Sequence, residues 1–194
     1  MNRILLFLVF VLGFASSGMA ESDLLTRTLT PVDLGRLAQF AKARADSIRE
    51  AKAEGAPGVV ATLDAILAGE EQPILGVDIR GDYQCRVAKL GGELGKLTIY
   101  DWFGCRIDED DIGYRLEKLS GSQRLSGHFV DDNEKALIFY GADHYSDEKP
   151  MDYNADPERN TVGRFVKVGD RRFRLELPLP FLESTFDILE LEKR

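Results

Sequence analysis

The sequence predicts an α+β chain: an N-terminal helical hairpin, then an antiparallel β-barrel or sandwich of about eight strands. Three observations predict it. Apolar residues recur every three or four positions up to residue 69 and every second position from about residue 74. Turn residues separate the later apolar runs at short intervals. No helical pattern lies between those runs, so parallel βαβ units are not expected. Composition agrees with a globular chain. The 194 residues are 44% hydrophobic and 30% charged, which excludes collagen, a coiled-coil rod, a disordered chain and a polytopic membrane protein.

Helical signals come first. Thr30 is a good N-cap, and Pro31 suits the first helical position. Leu29 and Leu34 stand at the two ends of a hydrophobic staple. Leu34, Leu37, Ala41, Ala45 and Ile48 then share one face of a helix that Gly55 stops. A second, shorter helix starts at Pro57, carries Val60, Leu63, Ile66 and Leu67, and ends at Gly69. Together they make a hairpin over about 30–69.

A β region over about 74–192 follows. Tyr83, Cys85 and Val87 alternate with Gln84, Arg86 and Ala88 until Gly91-Gly92 breaks the run. Leu97, Ile99, Phe103, Cys105 and Ile107 share one phase. Further runs are 113–119, 123–130 and 135–141. The runs 162–168 and 171–177 flank Gly169-Asp170, a hairpin signal. Pro178 and Pro180 halt the ladder, because proline has no N–H to donate. A last run spans Thr185 to Leu191. Residues 142–161 form the longest stretch without periodicity and read as a long loop, either functional or a solvated excursion.

Residues 1–20 read as an export signal. Arg3 gives a positive start, and Ile4 to Phe14 is an apolar run of 11. That run is too short to span a bilayer as a helix. Small residues before Ala20 predict cleavage there; an uncleaved anchor or a buried helix are the alternatives. Removing 20 of the 194 residues leaves a single α+β domain, 21–194, of 174 residues with a net charge of −9 in place of −8. A chain of this size buries enough surface to hold a core unaided. The expected location is periplasmic or secreted, with no membrane attachment after cleavage. An acidic chain without a dense basic run is a poor partner for nucleic acid. In an oxidising compartment the lone pair Cys85 and Cys105 is expected to form a disulfide, with two buried thiols as the alternative. A simple hairpin would place Cys85 opposite Tyr100, so the bridge also requires a bulge or sharp bend near Asp101 to Gly104, or a strand neighbour outside that hairpin.

Four short motifs occur in order. They are Tyr83-Gln84-Cys85-Arg86, Cys105-Arg106-Ile107, Gly121-Ser122-Gln123-Arg124, and Pro180-Phe181-Leu182-Glu183-Ser184 followed by Asp187 and Glu190-Leu191. As a set they resemble an exported bacterial family catalogued as domain of unknown function 4893, over roughly residues 30–192. The resemblance implies a secreted or periplasmic single domain and supports pairing the two cysteines. It carries no activity. The 142–161 stretch matches no motif of the family.

Candidate chemistry is sparse. Two cysteines and two histidines are too few for a Cys/His metal cage. Asp152-Tyr153-Asn154-Ala155-Asp156 begins like a calcium loop, but Pro157 stands where that loop needs Gly and Gly163 where it needs Glu. Asp143, Asp147, Asp152 and Asp156 leave only a weak alternative, and no metal or other cofactor is expected. No serine sits in a nucleophile elbow. His144 and Glu183 are the acid–base candidates, and a strand ion pair is the plainer role for Glu183. Arg86 and Arg106 are expected on the outer face beside inward cysteines. There they would receive Glu183, Asp187 or an external anion, although surface salt bridges explain them as well. Arg124 is expected on a tight turn. No catalytic residue is assigned; Arg86, Arg106, Arg124, His144 and Glu183 are the candidate ligand-binding residues. The expected function is non-enzymatic binding of a small ligand or an envelope protein. The alternatives are a hydrolase using His144 or Glu183, and an inhibitor of a secreted enzyme acting through 142–161.

Overall fold

Thr30 caps a helix as expected. Its side chain accepts from the Asp33 amide, and Pro31 opens α1 (Pro31–Ala38). Leu29 is buried, and Leu34 and Leu37 pack in the same cluster, which completes the staple. The computed structural model describes residues 24–92 and 95–194. The export signal expected at 1–20 lies outside them. α1 does not run on to Gly55. The chain turns at Gln39, whose amide bonds Arg36 O at 3.1 Å, and α2 (Phe40–Glu54) begins in a new phase. Ala41 and Ala45 therefore face solvent, and Phe40, Ala43, Ser47 and Ala51 face inward. One short-range turn re-phases the stripe that spacing alone extends through residue 39. α3 (Pro57–Leu67) follows. Ala51, Leu63 and Ile66 pack α2 and α3 onto Ala88, Leu90, Phe186 and Ile188 of the sheet.

The strands are β1 (Gly81–Leu90), β2 (Leu97–Ile99), β3 (Phe103–Glu109), β4 (Tyr114–Lys118), β5 (Gln123–Asn133), β6 (Ala136–Tyr145), β7 (Asn160–Lys167), β8 (Arg172–Pro178) and β9 (Phe186–Lys193). Neighbours pair antiparallel along the chain, and β9 returns to pair with β1, Tyr83 opposite Lys193 and Leu90 opposite Phe186. That last ladder decides barrel over sandwich: eight strands close, and β2 adds only to the far half of β1. Closure removes the sheet edges.

Alternation sets the interior. Tyr83, Cys85, Cys105, Ile107, Leu116, Phe129, Phe139, Phe165, Phe173, Leu175, Leu189 and Leu191 make one buried cluster. Burying a side chain of this size is worth roughly 1.5–3 kcal/mol each, so this cluster is the main source of stability. Gly127 and Gly141 face each other in register. A Cβ on Gly127 would stand 2.4 Å from Gly141 Cα and 2.8 Å from Phe139 Cζ, so the missing side chains make room for that ring. One end of the barrel is plugged by the segment before β1. Ile74 and Ile79 are buried in the core cluster, and Ile74 N bonds Glu134 O at 2.8 Å.

Cys85 and Cys105 are bonded, with Cα atoms 5.9 Å apart. Ala88 pairs with Ile99, but Cys85 pairs with Phe103. One extra residue therefore lies on the second strand between Ile99 and Phe103, the irregularity the pairing required. Cys105 sits diagonally from Cys85 on the inner face.

The stretch 142–161 is shorter as a loop than its sequence suggests. β6 continues to Tyr145 and β7 starts at Asn160, so only 146–159 connects them, with a 3-10 turn at Pro157–Arg159. Asp143 and His144 thus belong to a strand. Asp143 holds the inward position, polar because it lies at an open barrel end, and His144 falls on the opposite face; the apolar signal fades there. The connection is pinned down. Tyr153 Oη donates to Asp33 Oδ2 at 2.5 Å, Asn154 N donates to Asn160 Oδ1 at 2.9 Å, and Arg159 pairs with Glu148 at 2.6 Å.

Candidate functional site

Opposite the plugged end, the strands open on a cavity of about 320 Å³. Val87, Leu125, Leu177 and Leu189 supply apolar wall; Lys89, Lys118, Gln123, Asp143, Thr161 and Asp187 supply polar atoms. Each polar residue is placed by alternation. Lys89 continues the inward series Tyr83, Cys85, Val87, and Asp187 lies directly opposite it on β9. Lys118 is opposite Cys105, Asp143 opposite Leu125 and Thr161 opposite Gly141.

Residues 179–185 fold across this mouth. Leu179 and Glu183 hold φ of 48° and 66°, in the left-handed region. Such backbone persists only where surroundings hold it. Here Glu183 is held at both oxygens: Lys89 Nζ donates to Oε2 at 2.7 Å and Gln123 Nε2 donates to Oε1 at 3.0 Å. Lys89 also donates to Gln123 Oε1 at 2.9 Å. Gly92, at φ 82°, lies beneath the segment, and a Cβ there would meet Glu183 O at 2.1 Å.

The charges are deep. Lys89 is 7% exposed and Lys118 4%. Burial works against the Lys89 charge, but Asp187 and Glu183 outweigh it and hold its pKa above the usual lysine value. The Lys89 contact in turn draws Glu183 down. Lys118 donates to Ser120 O at 2.9 Å and Gln123 O at 2.6 Å and lies 3.9 Å above the Phe103 ring. Burial, with Arg124 and Lys89 nearby, pushes it down to about 8. Burial pushes Asp143 up to about 6. It pushes Asp187 up to about 7 against Lys89 and the hydroxyl of Ser184, which donates at 2.6 Å. His144 is buried and held below the ordinary histidine value by that burial; neither ring nitrogen has a partner among the described residues.

The structure brings together three of the five candidate residues. Arg124, His144 and Glu183 all border the mouth. Arg124 Nε bonds Gly121 O at 3.2 Å on the expected turn. Glu183 has a strand lysine for its partner rather than a strand arginine. Arg86 and Arg106 lie elsewhere, on the outer wall. Arg86 faces outward as expected but pairs with Glu190 at 2.7 Å and stacks on Trp102. Asp187 is not its partner, because the β1–β9 register sets Arg86 opposite Glu190 and turns Asp187 inward. Arg106 pairs with Asp82 at 2.8 Å. Sequence reasoning passed over Lys89, Lys118 and Thr161, and named Asp143 only in a weak metal alternative. A signal did exist for the lysines: each ends an apolar phase, after Tyr83-Cys85-Val87 and after Tyr114-Leu116. Among the described residues, no three His, Cys, Asp or Glu side chains are grouped to hold a metal ion.

The family model described as domain of unknown function (DUF4893) matches residues 26–191. The chain belongs to this family. The match takes in α1, α2 and α3 and the barrel strands as far as Leu191 in β9. No curated protein and no solved structure matches the chain significantly. Within this member of DUF4893, the motif at 121–124 forms the turn beside the cavity and the motif at 180–184 is the segment across it. The two cysteine motifs are joined by the disulfide in the core below.

Proposed function

We propose that this chain is an exported protein that binds a small polar ligand in the mouth of its barrel. One observation carries the reading: a closed barrel keeps a cavity of about 320 Å³ at one end, with charged side chains set against an apolar wall. That volume is at the lower end of the roughly 300–1,000 Å³ of small-molecule sites. A cavity of this kind is costly, since buried charges and missing contacts both oppose folding. Export is supported by the pattern of residues 1–20 and by the Cys85–Cys105 bond, which suits an oxidising compartment. Binding is favoured over hydrolysis because both Glu183 oxygens are engaged and His144 contacts no nucleophile among the described residues. It is favoured over inhibition through 146–159 because that connection is tied to α1 and β7.

The test is to titrate a small-molecule extract of the source cell envelope into the isotope-labelled exported protein. Shifts concentrated at Val87, Leu125 and Asp187, with a new mass in native mass spectrometry, are expected. An extract that leaves these signals unmoved would overturn the reading.

A further inference from the structure

The spare hydrogen-bonding capacity of the cavity lies on one side of the ledger. Its deep cations have partners, and Arg124 at the rim bonds Gly121 O through Nε. Lys118 is bonded to two carbonyls and lies over a ring, and Lys89 is bonded to Glu183 and Gln123. Arg159 is taken by Glu148 through two nitrogens, at 2.6 and 3.2 Å. The acceptors are less well supplied. Asp187 takes one hydrogen bond, from Ser184. Asp143 takes none of standard geometry among the described residues, although the Thr161 hydroxyl lies near enough to ease its charge. Thr161 Oγ1 itself is left without a partner although Thr161 is only 2% exposed, and Thr161 faces the cavity.

Buried polar atoms without partners are rare and call for an explanation. A ligand that answers these must bring donors, and an ammonium brings three together with the opposite charge. We propose that the cavity binds its ligand through a primary ammonium group, seated against Asp143 and Asp187 with the Thr161 hydroxyl beside it. The rest of such a ligand lies along Val87, Leu125 and Leu177, under Leu182 and Tyr100 at the rim. An anion would meet the same two carboxylates and find Lys89 and Lys118 already engaged.

The inference rests on the barrel-mouth reading and sharpens it. The charged groups around Asp143 are Lys89 from β1, Lys118 from β4, Asp187 from β9, Arg36 from α1 and Arg159 from the 3-10 turn. Around Asp187 they are Lys89, Asp143 and Glu183. Glu183 offsets Lys89, and Lys118, bonded only to carbonyls, offsets one carboxylate, so among these deep groups the carboxylates exceed the cations by one charge. Burial holds both above the ordinary carboxylate range, so an ammonium must displace protons from them. Affinity should therefore rise from pH 5 to pH 8.

The probes are cyclohexylmethylamine, cyclohexylmethanol and cyclohexylacetate, titrated into the full exported protein and followed by NMR. At pH 8 the amine is expected to bind at least tenfold more tightly than the alcohol, as a charge-assisted bond predicts. That advantage should shrink by pH 5 and fall about tenfold or more in Asp143→Asn. Should Asp143→Asn not fold, the pH series on the unmodified protein decides alone. The alcohol or the acetate binding as tightly as the amine at pH 8 would sink this inference and leave the barrel-mouth reading intact. So would silence to all three probes while the envelope extract still shifts the cavity signals. Silence to the probes and to the extract alike overturns both.

Discussion

Reducing the Cys85–Cys105 bond should lower stability by about 3 kcal/mol. The bond spans 20 residues. Freeing a loop of that length returns about 11 cal/mol/K of entropy to the unfolded chain, or about 3 kcal/mol at room temperature. The folded state loses little in exchange. The cysteines are 0% and 1% exposed, and two thiols occupy nearly the space of the bond. The barrel register around them is held by β1 pairing with both β3 and β9. Equilibrium urea unfolding with and without reductant measures the difference. With a slope of about 2 kcal/mol/M, the midpoint should fall by about 1.5 M. The melting temperature should fall by roughly 6–12 °C, from ~2–4 °C per kcal/mol for a chain of this size. A Cys85→Ala/Cys105→Ala variant should lose about 1–2 kcal/mol more, because it also removes two sulfur atoms from the core. Midpoints that agree within about 0.3 M, a difference worth under ~1 kcal/mol at that slope, would refute the argument. The unfolded chain would then already be restricted over this loop, and the bond would add nothing to the barrel.

Asp143, raised from 3.8 to about 6, gives stability that is complete below pH 4 and lost as pH rises through 6. Asp143→Asn should therefore unfold later than the unmodified protein at pH 8, by up to about 3 kcal/mol, and at the same point near pH 4. Urea midpoints at both pH values check this, and a less stable variant at pH 8 would show the carboxylate to be well paired. Gly127→Ala places a methyl 2.4 Å from Gly141 Cα, and calorimetry should register a loss of about 1–3 kcal/mol. Asp33→Ala strands the buried Arg36 guanidinium, now 3.0 Å from Asp33, and should cost about 3–5 kcal/mol by urea unfolding; a loss under ~1 kcal/mol would mean that Pro178 O and Asn160 O suffice for it. Intact mass of the chain recovered from the cell envelope should show a start at Glu21, and retention of residues 1–20 would contradict the proposed export and cleavage.

The elements were legible because their signals are local. Thr30 and Pro31 mark a helix start through one amide and one fixed φ. Strands show because every second side chain enters the same core, and Gly169-Asp170 turns the chain within a few residues. The cysteine pairing and the need for some irregularity before Cys105 also followed from short-range counting, but the size of that irregularity came only from the register of β1 with β2 and β3. The break at Gln39 was not legible, because spacing across residues 34–48 suits one helix as well as two. Closure of the barrel rests on β1 meeting β9 from the far end of the chain, and no local pattern reports a contact at that separation. The site depends on that closure. Lys89, Lys118, Asp143 and Asp187 come from four strands and have no common spacing. Only when β9 returns to β1 do their inward positions converge on one end, where alternation continues but no packed core fills the space. The sequence by itself determined which residues face inward; the tertiary structure decided which of those face one another.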